Sequence, residues 1–143
     1  KRELFIAGLF LYWGEGLKDL KYSFSLYNTN PQMIKFGLFW YTSILHVPVS
    51  KIRIKLHLYS DMNVKLEMQY WSKELKIPLV QFSKAYIKKS LRTNITYKGS
   101  FGHGTCGILV NDVRLKERVM AALKAIADEY GNKGRKKSRR SRC

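Results

Sequence analysis

Apolar and polar residues alternate without a break from Lys51 to Tyr59. Ile52, Ile54, Leu56 and Leu58 share one side, and Lys51, Arg53, Lys55, His57 and Tyr59 share the other. Strict alternation predicts a strand with one face on a core and one in water. Tyr22 to Asn28 repeats the pattern, with Tyr22, Phe24 and Leu26 opposed by Ser23, Ser25 and Tyr27. Further strands are predicted at Leu79 to Lys89, which sets Lys84, Tyr86 and Lys88 on one face, and at about Gly104 to Asn111. Glu3 to Trp13 is apolar nearly all round, which predicts a helix buried on more than one side. Gly14-Glu15-Gly16 ends it, since glycine supplies the backbone angles of a C-cap. Asn30-Pro31 opens a second helix running to about Leu45, with Asn30 as cap and Pro31 in the first turn. A third is expected from Ser60 or Asp61 to Leu75, with Val64, Met68, Trp71 and Leu75 at helical spacing. The last spans Val113 to Tyr130 on a stripe of Leu115, Val119, Ala122, Leu123 and Ile126. Ser90 to His103 reads as a loop. The expected class is α/β (α+β): helices on one face of a small, mainly antiparallel sheet, the opposite face basic and open.

Charge sharpens this picture. The 143 residues hold 27 Lys+Arg against 10 Asp+Glu, a formal net charge of +17. Seven of the basic residues lie in residues 132–143, which hold no acid, so residues 1–131 still carry +10. The expected organisation is one nucleic-acid-binding domain over residues 1–131 and a disordered basic tail over 132–143, where apolar residues are too few to fold alone. A folded surface facing an anion is implied. With 45% hydrophobic and 13% aromatic residues, a wholly disordered basic chain is excluded. Cys106 and Cys143 are too few for a disulfide framework and lack zinc spacing, so a reducing, cytoplasmic and nucleoid-associated location is expected. No stretch is long and apolar enough to span a bilayer, and no membrane partner is expected. The first residue is Lys, which points to a missing N-terminal part.

Gly8-Leu9-Phe10-Leu11-Tyr12-Trp13-Gly14-Glu15-Gly16 resembles the LAGLIDADG motif of homing endonucleases and their relatives, with Gly14-Glu15-Gly16 on the motif's Gly-acid-Gly end. Together with Asn28-Thr29-Asn30-Pro31, Tyr70-Trp71-Ser72 and Gly102-His103-Gly104-Thr105-Cys106, it is similar to a single-motif bacterial type found beside helix-turn-helix segments. The resemblance spans about Phe5 to Tyr130. It implies a homodimer on double-stranded DNA, packed through the small-residue helix at Ala7, Gly8, Leu11 and Tyr12. It also implies a catalytic Glu15 that holds Mg2+ or Mn2+, assisted by the Gly14 carbonyl. Such endonucleases place a β-hairpin directly after the motif, and Leu17 to Asn30 has room for one clear strand and at most a short partner. The helix near Asn63 to Leu75 reads as an insertion.

The predicted DNA surface comprises Lys51, Arg53, Lys55, His57 and Tyr59, then Lys84, Tyr86 and Lys88, with Ser23, Ser25 and Tyr27 on the neighbouring strand. Lys84 or Lys88 could stabilise charge on a transferring phosphate. Tyr27, Tyr59 and Tyr86 could stack on bases or bond phosphate, although ordinary strand preference places tyrosine there equally well. His57 and His103 have no acid at readable spacing. Gly102-His103-Gly104 reads as a turn, and Cys106 as a small core residue. The favoured function is a metal-dependent DNA endonuclease. The alternatives are a non-catalytic DNA-binding regulator and, behind both, an RNA-binding or ribosome-associated protein.

Overall fold

The computed structural model describes residues 1–17, 22–89 and 102–140. Helix α1 (Arg2–Glu15) runs straight into β1 (Gly16–Leu17), and β2 (Phe24–Asn28) folds back on it antiparallel. Helix α2 (Pro31–Phe39) continues as a π-helical turn over Trp40–Ile44. A 3-10 turn (Val49–Lys51) precedes β3 (Arg53–Tyr59), followed by α3 (Val64–Leu75), a second 3-10 turn (Leu79–Gln81), β4 (Tyr86–Lys88), β5 (Thr105–Val110) and α4 (Val113–Arg140). The sheet order is β1-β2-β5-β3-β4, antiparallel except where β4 joins β3. The class is α+β, and the sheet is mixed.

One face of this sheet takes the whole core. Phe24 and Leu26 of β2, Ile54, Leu56 and Leu58 of β3, and Cys106, Ile108 and Val110 of β5 are buried in one cluster. All four helices add to it: Leu9 and Tyr12, Ile34, Trp71 and Leu75, then Leu115, Val119 and Leu123. Close approach is made possible at Gly8, where a Cβ would stand 2.0 Å from Nε1 of the Trp40 indole, and at Gly37, where it would meet Leu26 at 2.5 Å. The entry to α2 follows its sequence: Asn30 Oδ1 accepts from the Gln32 N–H at 2.9 Å, and Pro31 occupies the first position.

Several expectations are corrected. Gly16 does not use glycine's left-handed freedom. Its φ of −77° and ψ of 142° are extended, and glycine is required there because a Cβ would meet the Tyr12 ring at 2.4 Å. Helix α3 starts at Val64 rather than near Ser60, because Asn63 Oδ1 accepts from the Leu66 N–H at 3.1 Å and caps it. Lys51 lies in the 3-10 turn, ahead of β3. Of the expected strand at 79–89, Tyr86–Lys88 form β4, and Phe82 makes an isolated parallel bridge to Ile54. Gln81 Nε2 instead donates to the Val49 and Ile52 carbonyls at 2.8 and 2.9 Å, and Val80 stands 87% exposed. Helix α4 does not stop at Tyr130 but continues to Arg140, through much of the segment expected to be disordered. Lys and Arg are good helix formers, and Lys133 donates to Glu129 one turn back at 2.9 Å. The expected loop falls mostly on residues 90–101, outside the described residues, as do 141–143 with Cys143.

Candidate nucleic-acid interface

The face of the sheet turned away from the core is built row by row from its register. Leu17, Ser25, Leu109 and Arg53 form one row, and Tyr27, Gly107 and Lys55 the next. Thr105, His57 and Tyr86 form the third, and Tyr59 pairs with Lys88 beyond it. Through these rows from Ser25 to Lys88, none of the described side chains belongs to the core cluster. No carboxylate occupies any of the rows, while Arg53, Lys55 and Lys88 are cations. The single sign is what a phosphate backbone requires, and alternation along β3 produces it.

Individual residues differ in what they offer. Arg53 is exposed, and its Nη1 donates to the Ser50 and Ile52 carbonyls at 2.8 and 2.9 Å. With Lys51, Ser50, Ser83, Leu109 and Asn111 it lines a cleft of about 400 Å3 at one end of β3 and β5. Lys55 and His57 are half-buried, and Lys84 is exposed just ahead of β4. Lys88 Nζ lies 5.1 Å from the centre of the Tyr59 ring, a cation–π contact. The Tyr59 side chain is buried, so it serves as a platform for Lys88 rather than a surface for DNA. Ser23 and Ser25 are also buried, and among the described residues their hydroxyls have no hydrogen-bond partner. They are therefore withdrawn from the interface: alternation assigns a side of the sheet, but neighbouring side chains decide whether that side is reached by solvent.

Gly107 was not a residue that basic or aromatic patterning could single out. A Cβ on it would stand 2.2 Å from the Tyr27 ring, so that ring lies across the bare backbone of β5. A glycine within a strand is the feature that marks such an approach. Tyr27, His57 and Tyr86 then follow one another across the sheet, with ring centres 4.9 and 5.3 Å apart. Burial, then Lys55, then Lys88 lower the His57 pKa from its ordinary value, so its imidazole is uncharged at neutral pH.

Glu15 closes α1 and is exposed, one residue before the Gly16↔Leu26 register that starts the hairpin. The Gly14 carbonyl belongs to the last helical turn, where no intrahelical donor reaches it. Among the described residues, no three His, Cys, Asp or Glu side chains gather as a metal site. A hard divalent cation takes six or more oxygen ligands, so Glu15 and Gly14 of one chain supply only part of a coordination shell.

The residues expected at a dimer contact divide into two groups. Gly8 and Tyr12 point into the chain's own core, Gly8 under Trp40 and Tyr12 with its ring 4.5 Å from Phe24. They are corrected from interface to core because they share one helical stripe with Leu9. Ala7 is exposed and Leu11 half-buried on the other stripe, beside Phe10 at 52% and Trp13 at 41% exposure. Trp13 also faces Met120, Leu123 and Ala127 of α4 across an apolar groove.

His103 is no lone histidine. Its Nδ1 lies 2.8 Å from Glu67 Oε2, its ring stacks on Tyr70 at 3.5 Å, and its carbonyl accepts from Trp71 Nε1 at 2.9 Å. These contacts fasten the turn before β5 to α3, which gives that helix a structural task. Cys106 is buried and its thiol pKa is pushed far up by desolvation, so it is a core residue rather than a nucleophile. Among the described residues no helix is long and apolar enough to cross a membrane. Comparison with protein-family models, curated proteins and solved structures finds no match.

Proposed function

We propose that this chain is a homodimeric double-stranded-DNA-binding protein of the LAGLIDADG type that acts as a divalent-metal-dependent DNA endonuclease. The observation that carries the reading is the sheet face opposite the core, whose rows hold Arg53, Lys55, His57 and Lys88 and no acid. A duplex laid on it meets cations along β3 and β4, with Lys84 and Lys51 at the margins. Directly after α1 the chain makes a hairpin, but with a β1 of two residues it is a shortened form of the one the motif's relatives carry. Dimerisation is supported by the outward stripe of α1, where Leu4, Ala7, Phe10 and Trp13 leave apolar surface exposed.

Glu15 and the Gly14 carbonyl fit a divalent cation only as half of a site shared between two chains, with waters and DNA phosphates supplying the remaining oxygens. Glu15 and Gly14 of the two chains would hold such cations, and the chemistry these would supply is activation of water and stabilisation of the leaving oxygen of a phosphodiester. The chain's own part is to present a carboxylate at the helix–sheet junction and to hold the phosphate backbone by Lys55 and Lys88. Lys84, just ahead of β4 at the sheet edge opposite β1 and Glu15, serves backbone attraction rather than the reacting phosphate.

The test is a binding and cleavage screen on random duplex DNA with Mg2+, Mn2+ or EDTA. Cleavage with either metal, abolished by EDTA and by Glu15→Gln while binding persists, is the expected result. Binding without cleavage under every metal leaves the non-catalytic regulator. Tighter binding of structured RNA than of duplex DNA overturns the DNA reading.

A further inference from the structure

We infer that the Tyr27–His57–Tyr86 stripe is a stacking platform for unpaired bases, so that the same face also binds single-stranded nucleic acid. The inference rests on the reading that this face meets nucleic acid, and deepens it by naming a second form of the ligand.

The geometry begins with Gly107. The sheet lacks a side chain in the middle of its open face, and the Tyr27 ring lies across the vacant position. A ring whose lower side rests on backbone turns its upper side outward. The half-buried His57 ring follows at 4.9 Å, tilted 45° to Tyr27. Tyr86 on β4, 55% exposed, follows at 5.3 Å, tilted 57° to His57, so each ring offers its own face rather than one flat plane. Three rings on three strands therefore cross the face as one band, flanked by Lys55 and Lys88.

Duplex DNA makes poor use of such a band. Its base faces are hidden in the stack, and it presents edges and phosphates instead. A single strand exposes the faces, and aromatic side chains on a sheet take them with little sequence preference. His57 suits this role because its imidazole is neutral at ordinary pH and behaves as a flat ring. The flanking lysines supply the backbone attraction that every such groove needs.

The experiment compares a thymidine oligonucleotide with an abasic strand of equal length, by fluorescence anisotropy at one salt concentration, on the full chain. The two strands carry the same phosphates, so any difference reports base contact. The wild type should bind the thymidine strand more tightly by roughly 5- to 150-fold, the range of one base–aromatic stack. Tyr86→Ala should shrink that ratio, and Tyr86→Phe should preserve it. Equal affinity for the two strands in the wild type overturns the inference, as does a ratio that Tyr86→Ala leaves intact. A duplex of the same length is titrated alongside. Duplex binding without base discrimination sinks this inference alone, whereas base discrimination without duplex binding sinks the duplex reading.

Discussion

Replacing Gly8 by alanine separates two uses of a small residue on α1. The added methyl would stand 2.0 Å from Trp40 Nε1 and 2.1 Å from its Cε2, far inside contact distance. The indole cannot simply step aside. It is 1% exposed, and Phe5 and Phe24 lie 6.4 and 6.2 Å away between ring centres. Overpacking a filled core costs about 1–3 kcal/mol, and full burial with direct overlap puts this site near the upper end. Alanine recovers about 1 kcal/mol of helix propensity over glycine. The net loss is about 2 kcal/mol, which for a domain of this size lowers Tm by roughly 6–8 °C. Thermal unfolding followed by circular dichroism at several protein concentrations measures it. Because the clash is within one chain, the drop should be the same at every concentration. An unchanged or raised Tm refutes the reasoning. So does a drop that vanishes at low concentration and grows as concentration rises, since that would place Gly8 between two chains.

The remaining predictions use the same measurement. Gly14→Ala should leave Tm unchanged or raise it by up to about 4 °C, because among the described residues nothing lies within 4 Å of the added methyl and helix propensity improves. A fall would refute the open position of Gly14. Asn63→Ala should cost about 1 kcal/mol, or roughly 3–4 °C, by removing the side-chain acceptor of the Leu66 N–H. A change below 1 °C would discard Asn63 as the cap. His57 has a folded pKa below its ordinary 6.5, so the unfolded chain takes up its proton first as pH falls. That contribution to stability is present above pH 6.5 and is lost as pH falls through 6.5 toward the folded value. His57→Gln should flatten this slope, and an unaltered pH profile between 7 and 5 would contradict it.

Legibility in the sequence followed the range of the interaction concerned. Asn30 and Pro31 act on their own next turn, and the predicted start of α2 agrees with the structure. The alternation of β3 is likewise local, and the core side of Ile54, Leu56 and Leu58 is correctly read. Leu79 and Val80 mislead for the opposite reason. They are apolar and look like strand, but the chain turns in 3-10 form after Pro78, and the Gln81 amide takes the Val49 and Ile52 carbonyls. The parallel pairing of the three-residue β4 depends on β3, almost thirty residues earlier, and leaves no local mark. His103 was read as a turn residue for the same reason: its partner Glu67 lies 36 positions away.

The candidate interface shows where residue pattern runs out. Charge patterning located the basic face, since the sign of a side chain needs no partner to be read. It placed Tyr59, Ser23, Ser25, Tyr27 and Tyr86 on that face as equals, yet the fold makes them unequal. Tyr59 is covered, Ser23 and Ser25 are buried, and Tyr27 is laid flat by a glycine on another strand. Motif reading has a related limit. Small residues at 7 and 8 announce that something comes close to α1, but they do not say what. Trp40 fills the place at Gly8, so the chain's own indole satisfies half of the motif before any second copy arrives. A dimer contact must then use the other stripe, with Ala7, Phe10, Leu11 and Gly14, and the bulk of Phe10 and Trp13 would hold two such helices farther apart than bare small residues would. In the proposed dimer that spacing would bear directly on Glu15, because the two carboxylates proposed to share a metal site would move apart with the helices that carry them.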